Sequence, residues 1–210
     1  MGGSFDPVHV GHLSIAQQIL NKLKLEQVVL LPAAAPPHKQ DGREQAPPLD
    51  RLEMCRLAVN NMHGLSVSDY EIHRGGISYT VETARFARQA YGPDAEIYFL
   101  IGSDSLADLP LWRDVRDLVT LIDFAIAERR EVPIQPALWE HIRETLGEEA
   151  MKRLQRGVVE IERVDVSSTQ IRQMLRNGDK LAGYLRRDVE DYIRKRGLYG
   201  ATGPIGPSAS

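Results

Sequence analysis

The sequence predicts an α/β fold, in which a doubly wound, mostly parallel sheet is covered by helices on both faces. Two observations lead to this prediction. Short apolar runs alternate with longer segments of helical periodicity along most of the 210 residues. A glycine-rich segment at the start of the chain stands directly before the first helical pattern, as do the loops that leave a central strand in such sheets.

Five apolar runs have the length and composition of buried parallel strands, namely residues 28–31, 65–67, 97–101, 124–127 and 158–161. The helical patterns between them cover residues 13–23, 52–62, 79–91, 115–121 and 137–154, the last of which is broken near Gly147. No apolar run precedes Gly2, so the first central strand is missing. We expect the native protein to begin upstream of Met1, with about six to ten apolar residues, a normal strand length.

Residues 1–199 are predicted to form one domain, whose part from about 165 to 199 is helical. Residues 200–210 are almost entirely small or turn-forming and are predicted to be a disordered tail. Residues 33–48 lack periodicity and contain four prolines, which fits either a binding loop or a mobile connection. The charged residues at 128–130 are interpreted as a solvated segment without chemistry.

Composition excludes several classes of function. The net charge of −3 provides no general attraction to nucleic acid or to an anionic membrane, and no run of eighteen apolar residues is present. Cys55 is the single cysteine, which rules out an internal disulfide and fits a cytoplasmic protein. Its place on an apolar helical stripe assigns it to the core. The sequence leaves open whether the chain forms a homo-oligomer.

The segment at the start of the chain reads GGSFDPVHVGH and is interpreted as a phosphate cradle. Gly2, Gly3 and Gly11 can adopt positive φ and allow backbone amides to approach a large anion. His9 and His12 add ring donors that can neutralise charge, close to the amino end of a helix, which itself attracts phosphate. A metal site built on the two histidines, or an ordinary glycine-rich loop, are the alternatives.

A second motif, SSTQIR, occupies residues 167–172. Ser167 and Gln170 have the spacing of a capping box, so a helix is predicted to begin at Ser168. Ser168, Thr169 and Arg172 then share one face at the amino terminus of that helix, where they can bind a second anionic group. The alternative is an ordinary capped helix with a surface arginine.

Four motifs together resemble the bacterial nicotinate-nucleotide adenylyltransferases over residues 1 to about 199. They are the glycine-rich segment, PPHK at residues 36–39, GSD at residues 102–104 followed by Trp112, and SSTQIR. The resemblance implies adenylyl transfer from ATP to nicotinate mononucleotide in NAD biosynthesis, with nicotinate adenine dinucleotide and pyrophosphate as products. Two other functions stay open, a pantetheine-phosphate adenylyltransferase, which shares the two phosphate motifs, and a catalytically silent nucleotide-binding protein.

The same resemblance implies a role for each site residue. The catalytic residues are His9, His12 and Arg172. The residues that bind ATP are Gly2, Gly3, Ser4, Phe5, Gly11, Gly102, Asp104, Ser168 and Thr169, and those that bind the mononucleotide are Lys39, Thr80 and Trp112. Magnesium is expected to arrive bound to ATP, without a cage of protein ligands. No general base is needed, because a phosphate monoester with a second pKa of about 6 is already ionised at neutral pH.

Overall fold

The computed structural model of the chain describes residues 1–36, 45–130, 132–162 and 164–201. Its strands are β1 (Gly2–Gly3), β2 (Val28–Pro32), β3 (Leu65–Val67), β4 (Tyr98–Gly102), β5 (Asp123–Arg129) and β6 (Val158–Ile161). All their pairings are parallel, β1 with β2, β2 with β3, β4 with β5 and β5 with β6. The five predicted strands are therefore confirmed, with ends that differ by at most two residues.

The two halves of the sheet meet at the shortest strand. Gly2 and Gly3 pair with Leu31 and Pro32 of β2, while on its other side β1 lies next to β4. The spatial order is thus β3-β2-β1 followed by β4-β5-β6, the order of a doubly wound sheet. Over the described residues, the hydrogen-bonded ladder is interrupted between β1 and β4. The predicted fold and the predicted place of the glycines at the sheet centre are confirmed.

The amino end of the chain lies inside this sheet. The α-amino group of Met1 donates to the carbonyl oxygen of Val29 at 3.0 Å, and the Met1 carbonyl accepts from the Leu31 amide at 2.9 Å. Burial lowers the pKa of this amine to about 5. Met1 therefore continues the pairing of β1 with β2 toward the start of the chain.

The predicted helices are present, together with short helices that the periodicity does not predict. They are α1 (Val10–Lys22), α2 (Pro48–Val59), α3 (Tyr70–Arg74), α4 (Thr80–Tyr91), α5 (Ser103–Leu106), α6 (Val115–Leu121), α7 (Pro136–Leu146), α8 (Glu148–Arg156), α9 (Ser168–Asn177) and α10 (Arg187–Arg196). Gly147, at φ 95°, separates α7 from α8 as predicted. Helices α1 and α2 begin three and four residues earlier than expected, and α3 and α5 are too short for the periodicity to reveal. No helix in the described ranges is both long and apolar enough to cross a bilayer.

The C-terminal part is less continuously helical than predicted. Gly178 adopts the left-handed conformation and ends α9, and the chain returns to helix only at Arg187. A 3₁₀ turn, Leu198–Gly200, follows α10. The predicted disordered tail falls mostly on residues 202–210, which lie outside the described residues.

Packing of the interior places α9 and α10 on the glycine-rich half of the sheet. One cluster joins α1, β2, α2, α9 and α10 through Leu13, Leu30, Met54, Ile171 and Ile193. Cys55 belongs to the same cluster and is fully buried, which confirms its assignment to the core and raises the pKa of its thiol. A second cluster joins α4, α6, α7 and α8 to β5 through Val81, Leu118, Ile142, Leu154 and Ile126. The first cluster brings the amino end of α9 against the loop that follows β1.

Candidate functional site

The three glycines of the first motif are required for space rather than for an unusual backbone. None of Gly2, Gly3 and Gly11 has a positive φ, which corrects the expectation from sequence. A Cβ added at Gly11 would lie 2.9 Å from Cγ1 of Val166 and 3.0 Å from Nδ1 of His9. The left-handed residue of this loop is instead Phe5, at φ 47°, whose buried ring packs under Gly3. The glycines therefore allow the loop, the sheet and the α9 segment to approach one another.

Arg51 of α2 anchors the glycine loop to neighbouring segments through hydrogen bonds. Its guanidinium is almost completely buried and donates to the carbonyl oxygens of Ser4 at 2.8 Å, Ala46 at 3.0 Å and Ala34 at 3.1 Å. Desolvation lowers the pKa of Arg51, and nearby Asp6 partly offsets that effect. One buried cation thus holds both the glycine loop and the two ends of the segment around residues 34–46.

His9 and His12 form a stacked pair at the start of α1. His9 is the N-cap and His12 is the third helical residue, and their ring centroids lie 3.7 Å apart. The backbone N–H of His9 donates to Nδ1 of His12 at 3.2 Å. Because Nδ1 accepts this bond, a neutral His12 ring carries its proton on Nε2, from which it can be donated to a ligand.

His9 is the more buried member of the pair, with 7% of its surface exposed. Burial lowers its pKa to about 4, so the ring is neutral at physiological pH in the absence of a ligand. Its Nδ1 is buried without a hydrogen-bond partner among the described residues. His9 therefore supplies a hydrogen-bond donor rather than a positive charge.

This burial predicts a pH dependence of stability. The free energy of unfolding of the ligand-free protein is expected to fall by up to about 3 kcal/mol as the pH drops from about 6.5 to about 4, because the unfolded chain protonates His9 across this range and the folded chain does not. Urea unfolding of the wild type and of His9→Gln over this pH range measures the effect. The buried amine of Met1 acts in the same direction but is common to both proteins. Parallel pH profiles for the two proteins would contradict the assignment.

The second motif forms the capped helix end that the sequence predicts. Helix α9 begins at Ser168, and Oγ of Ser167 accepts from the amide of Gln170 at 3.2 Å. Oγ of Ser168 donates to the carbonyl oxygen of Pro7 at 3.0 Å. The two motifs, separated by more than 150 residues of sequence, are thus joined directly.

Arg172 makes the second connection between the two motifs. Its Nη1 donates to the carbonyl oxygen of Asp6 at 2.7 Å and lies 3.7 Å from Oδ2 of the Asp6 carboxylate. Its Nη2 donates to Oγ1 of Thr169 at 3.1 Å. The guanidinium is therefore held beside the glycine loop, on the first turn of α9, where the positive end of the helix dipole adds to its charge.

A cavity of about 940 Å³ opens between these elements. The sequence-predicted residues that line it are Ser4, Phe5, His9, Gly11, His12, Asp104, Ser168, Thr169 and Arg172. Arg129 and Arg176 complete a set of three arginines on its wall. Neither of these two has a carboxylate partner among the described residues, so the cavity is suited to an anion with several negative charges.

Arg129 corrects the interpretation of residues 128–130 as a solvated segment. It is the last residue of β5 and is partly buried in the cavity wall. Its position at the carboxyl end of a parallel strand, where ligands bind in such sheets, is the signal that could have identified it. Arg176 lies one helical turn after Arg172 on α9 and could have been found from that spacing.

The other predicted residues that the structure describes do not line this cavity. Gly2 and Gly3 form β1, and Gly102 ends β4, directly before the short helix that carries Asp104. Thr80 is the first residue of α4. Trp112 follows the 3₁₀ turn Leu109–Leu111, and its ring contacts Phe99 edge-on with centroids 6.2 Å apart. Lys39 lies outside the described residues.

Carboxylates are few at this site. Oδ1 of Asp104 accepts from the amide of Ser105 at 3.1 Å, and the Asp6 carboxylate is engaged as described above. Within the described ranges, no group of three or more His, Cys, Asp or Glu side chains is placed to hold a metal ion.

Comparison with known proteins agrees with this geometry. A model of the cytidylyltransferase-like family matches residues 1–174. The chain is 34% identical to a probable nicotinate-nucleotide adenylyltransferase of Desulfatibacillum aliphaticivorans, covering 94% of this chain and 97% of the relative. It is 37% identical to a probable enzyme of the same name from Opitutus terrae, with 95% of each chain covered.

The fold resembles a solved structure of low sequence identity. Plasmodium falciparum nicotinic acid mononucleotide adenylyltransferase, complexed with NaAD, superposes with a TM-score of 0.73 over 95% of each chain, at 21% identity. This similarity supports the arrangement of the sheet and the helices described above.

Proposed function

Because this chain belongs to the nicotinate-nucleotide adenylyltransferases of the cytidylyltransferase-like family, we propose that it transfers the adenylyl group of ATP to nicotinate mononucleotide. In this reaction, an oxygen of the mononucleotide phosphate attacks the α-phosphorus of ATP. The new bond joins that oxygen to the α-phosphorus, the bond from the α-phosphorus to the bridging oxygen breaks, and pyrophosphate leaves. The products are nicotinate adenine dinucleotide and pyrophosphate.

One observation carries the proposal. Two motifs from opposite ends of the chain meet in one cavity at the carboxyl edge of the sheet and surround it with donors and cations rather than with a nucleophile and a base. The attacking phosphate is already ionised at neutral pH, so no side chain has to remove a proton. What this reaction requires from the protein is in-line positioning of the reactants and stabilisation of negative charge, which these residues can provide.

We assign the triphosphate of ATP to the cavity. His12 would donate from Nε2 to the reacting α-phosphate, with the neutral ring of His9 stacked beside it. Arg172 and the amides of Ser168 and Thr169 would bind the β- and γ-phosphates at the amino end of α9. Asp104 is close enough to the cavity to accept from ribose hydroxyl groups.

We assign the mononucleotide to the region of Trp112 and Thr80, called here the region beyond β1. Trp112 would stack on the pyridine ring, and the amide of Thr80 at the amino end of α4 would meet the nicotinate carboxylate. The contact of Trp112 with Phe99, whose ring adjoins Gly2, links this region to the glycine loop. Lys39 is proposed to bind the mononucleotide phosphate.

Magnesium is proposed to enter with ATP as part of the substrate. It keeps most of its water and neutralises charge on the phosphate oxygens, so it does not need a set of protein carboxylates. The arginines of the cavity then bind the charge that remains on the triphosphate. The proposal therefore requires no protein ligand for the metal.

Pyrophosphate release tests the proposal. The full chain is incubated with ATP and Mg²⁺ and with one acceptor at a time, nicotinate mononucleotide, nicotinamide mononucleotide or 4′-phosphopantetheine. Turnover is expected with nicotinate mononucleotide, and more slowly with the amide, because the amide lacks the negative charge that the helix end at Thr80 favours. Turnover with 4′-phosphopantetheine alone, or ATP binding without turnover, would contradict the proposal and support one of the two alternatives.

A further inference from the structure

The carboxylate of Asp6 links the catalytic loop to the C-terminal part of the chain. Asp6 is 6% exposed, and its Oδ1 accepts two hydrogen bonds, from the amide of Ala46 at 3.0 Å and from the hydroxyl of Tyr199 at 2.6 Å. Its Oδ2 lies 3.7 Å from Nη1 of Arg172. Oδ1 is thus bonded to two neutral donors, and Oδ2 faces the guanidinium of Arg172.

Tyr199 is held firmly in this position. Its backbone is in the left-handed region at φ 59°, a conformation that costs a non-glycine residue about 1 kcal/mol or more and persists only where the surroundings impose it. Burial and the nearby Asp6 charge raise the pKa of Tyr199 well above its usual value, so the hydroxyl keeps its proton and remains a donor. Tyr199, the middle residue of the 3₁₀ turn after α10, is therefore held against Asp6 of the glycine loop.

Because the two oxygens of Asp6 have different partners, the carboxylate does not form a two-bond pair with Arg172. A free carboxylate near a guanidinium forms a bidentate pair with it, with two parallel hydrogen bonds. Such a pair would occupy two of the N–H donors of Arg172. Since Tyr199 and Ala46 occupy Oδ1, Asp6 holds the guanidinium mainly through its backbone carbonyl, at 2.7 Å, and leaves the remaining donors for a ligand.

We propose that Tyr199 is a positioning residue for ATP binding, which acts through Asp6 to keep the guanidinium of Arg172 oriented toward the triphosphate. This inference rests on the proposed function, because it takes Arg172 as a ligand of the ATP phosphates. It makes the turn that follows α10 part of the ATP site, although its tyrosine does not line the cavity.

The chain offers a matched control. The hydroxyl of Tyr192, on α10, donates to Oδ1 of Asp50 at 2.7 Å. Tyr192→Phe and Tyr199→Phe therefore each remove one tyrosine-carboxylate hydrogen bond between the C-terminal part and the rest of the protein. Only Tyr199 is bonded to the carboxylate beside Arg172, so a general loosening of the C-terminal part affects both variants and a positioning role affects one.

Steady-state kinetics separate the two variants. Tyr199→Phe is expected to raise the KM for ATP about 3- to 10-fold, less than the loss of a direct hydrogen bond to a charged group, because Tyr199 acts through Asp6. The KM for nicotinate mononucleotide should change less than about twofold, and Tyr192→Phe should change neither constant by more than that. The Kd for MgATP, measured by titration calorimetry without the mononucleotide, should follow the same pattern, and melting temperatures show whether both variants are folded.

A double substitution tests the route of the effect. In an Arg172→Ala background, Tyr199→Phe is expected to leave the KM and Kd for ATP unchanged, because residues that act through one another are not additive. Equal effects of the two tyrosine variants on ATP binding, or a further loss in the Arg172→Ala background, would overturn the inference. An inactive wild type would overturn the proposed function instead, and the calorimetric Kd values would still decide the role of Tyr199.

Discussion

Replacing His12 by alanine is expected to lower kcat/KM at least about 100-fold, the usual effect of removing a donor that stabilises charge in a transition state. His12 is the third residue of α1, its Nδ1 accepts from the backbone of His9, and its ring lines the cavity. The substitution removes a hydrogen-bonded ring but no part of the apolar core, so the melting temperature should change by only a few degrees. The rate of pyrophosphate release at varied ATP concentration gives the effect.

Two further variants control this result. His12→Gln retains an amide donor at about the distance of Nε2 and is expected to recover part of the lost activity. His73→Ala removes a histidine from α3 with a side chain that is 71% exposed, and should leave kcat/KM unchanged. Near-normal turnover by His12→Ala would remove the main support for a catalytic role of the first motif.

Arg172→Ala is expected to raise the KM for ATP about 10- to 100-fold, as expected for the loss of a charge-assisted contact to phosphate. The KM for nicotinate mononucleotide should change far less, because this substrate is assigned to the region beyond β1. Arg172→Lys should recover little of the affinity, since an ammonium group cannot reproduce the hydrogen bonds that the guanidinium makes to Asp6 and Thr169. Initial rates with each substrate varied in turn separate the two constants.

Arg187→Ala provides the matched control for charge. Arg187 is the first residue of α10 and its side chain is 63% exposed, so its removal changes the net charge equally without touching the cavity. An increase of KM that is confined to nicotinate mononucleotide would place Arg172 in the other half of the site. Such a result would also require a different ligand for the amino end of α9.

The parts of the site that the sequence predicts are those coded by local patterns. The start of α9 at Ser168 follows from a capping serine three residues before Gln170, and the break at Gly147 follows from one residue that readily adopts positive φ. The five strands follow from apolar runs that need both faces covered. Each of these signals lies within about ten residues of sequence.

The parts that the sequence could not predict depend on contacts between distant residues. The hydrogen bond from Tyr199 to Asp6 joins positions 193 residues apart, and Arg51 is identified as a loop anchor only by the three carbonyl groups that surround it. The role of Gly11 was predicted from φ but follows from the approach of Val166, which belongs to the opposite end of the chain. Such roles depend on the tertiary structure, so local sequence patterns do not predict them.

The position of a phosphorus label tests the central claim most directly. The full chain is incubated with nicotinate mononucleotide, Mg²⁺ and ATP labelled at the α-phosphorus, and the products are separated. If the cavity binds ATP for attack at the α-phosphorus, all of the transferred label appears in nicotinate adenine dinucleotide and the pyrophosphate is unlabelled. Label in free AMP without formation of the dinucleotide, or label in ADP, which marks cleavage at the γ-phosphate, would contradict adenylyl transfer by this site.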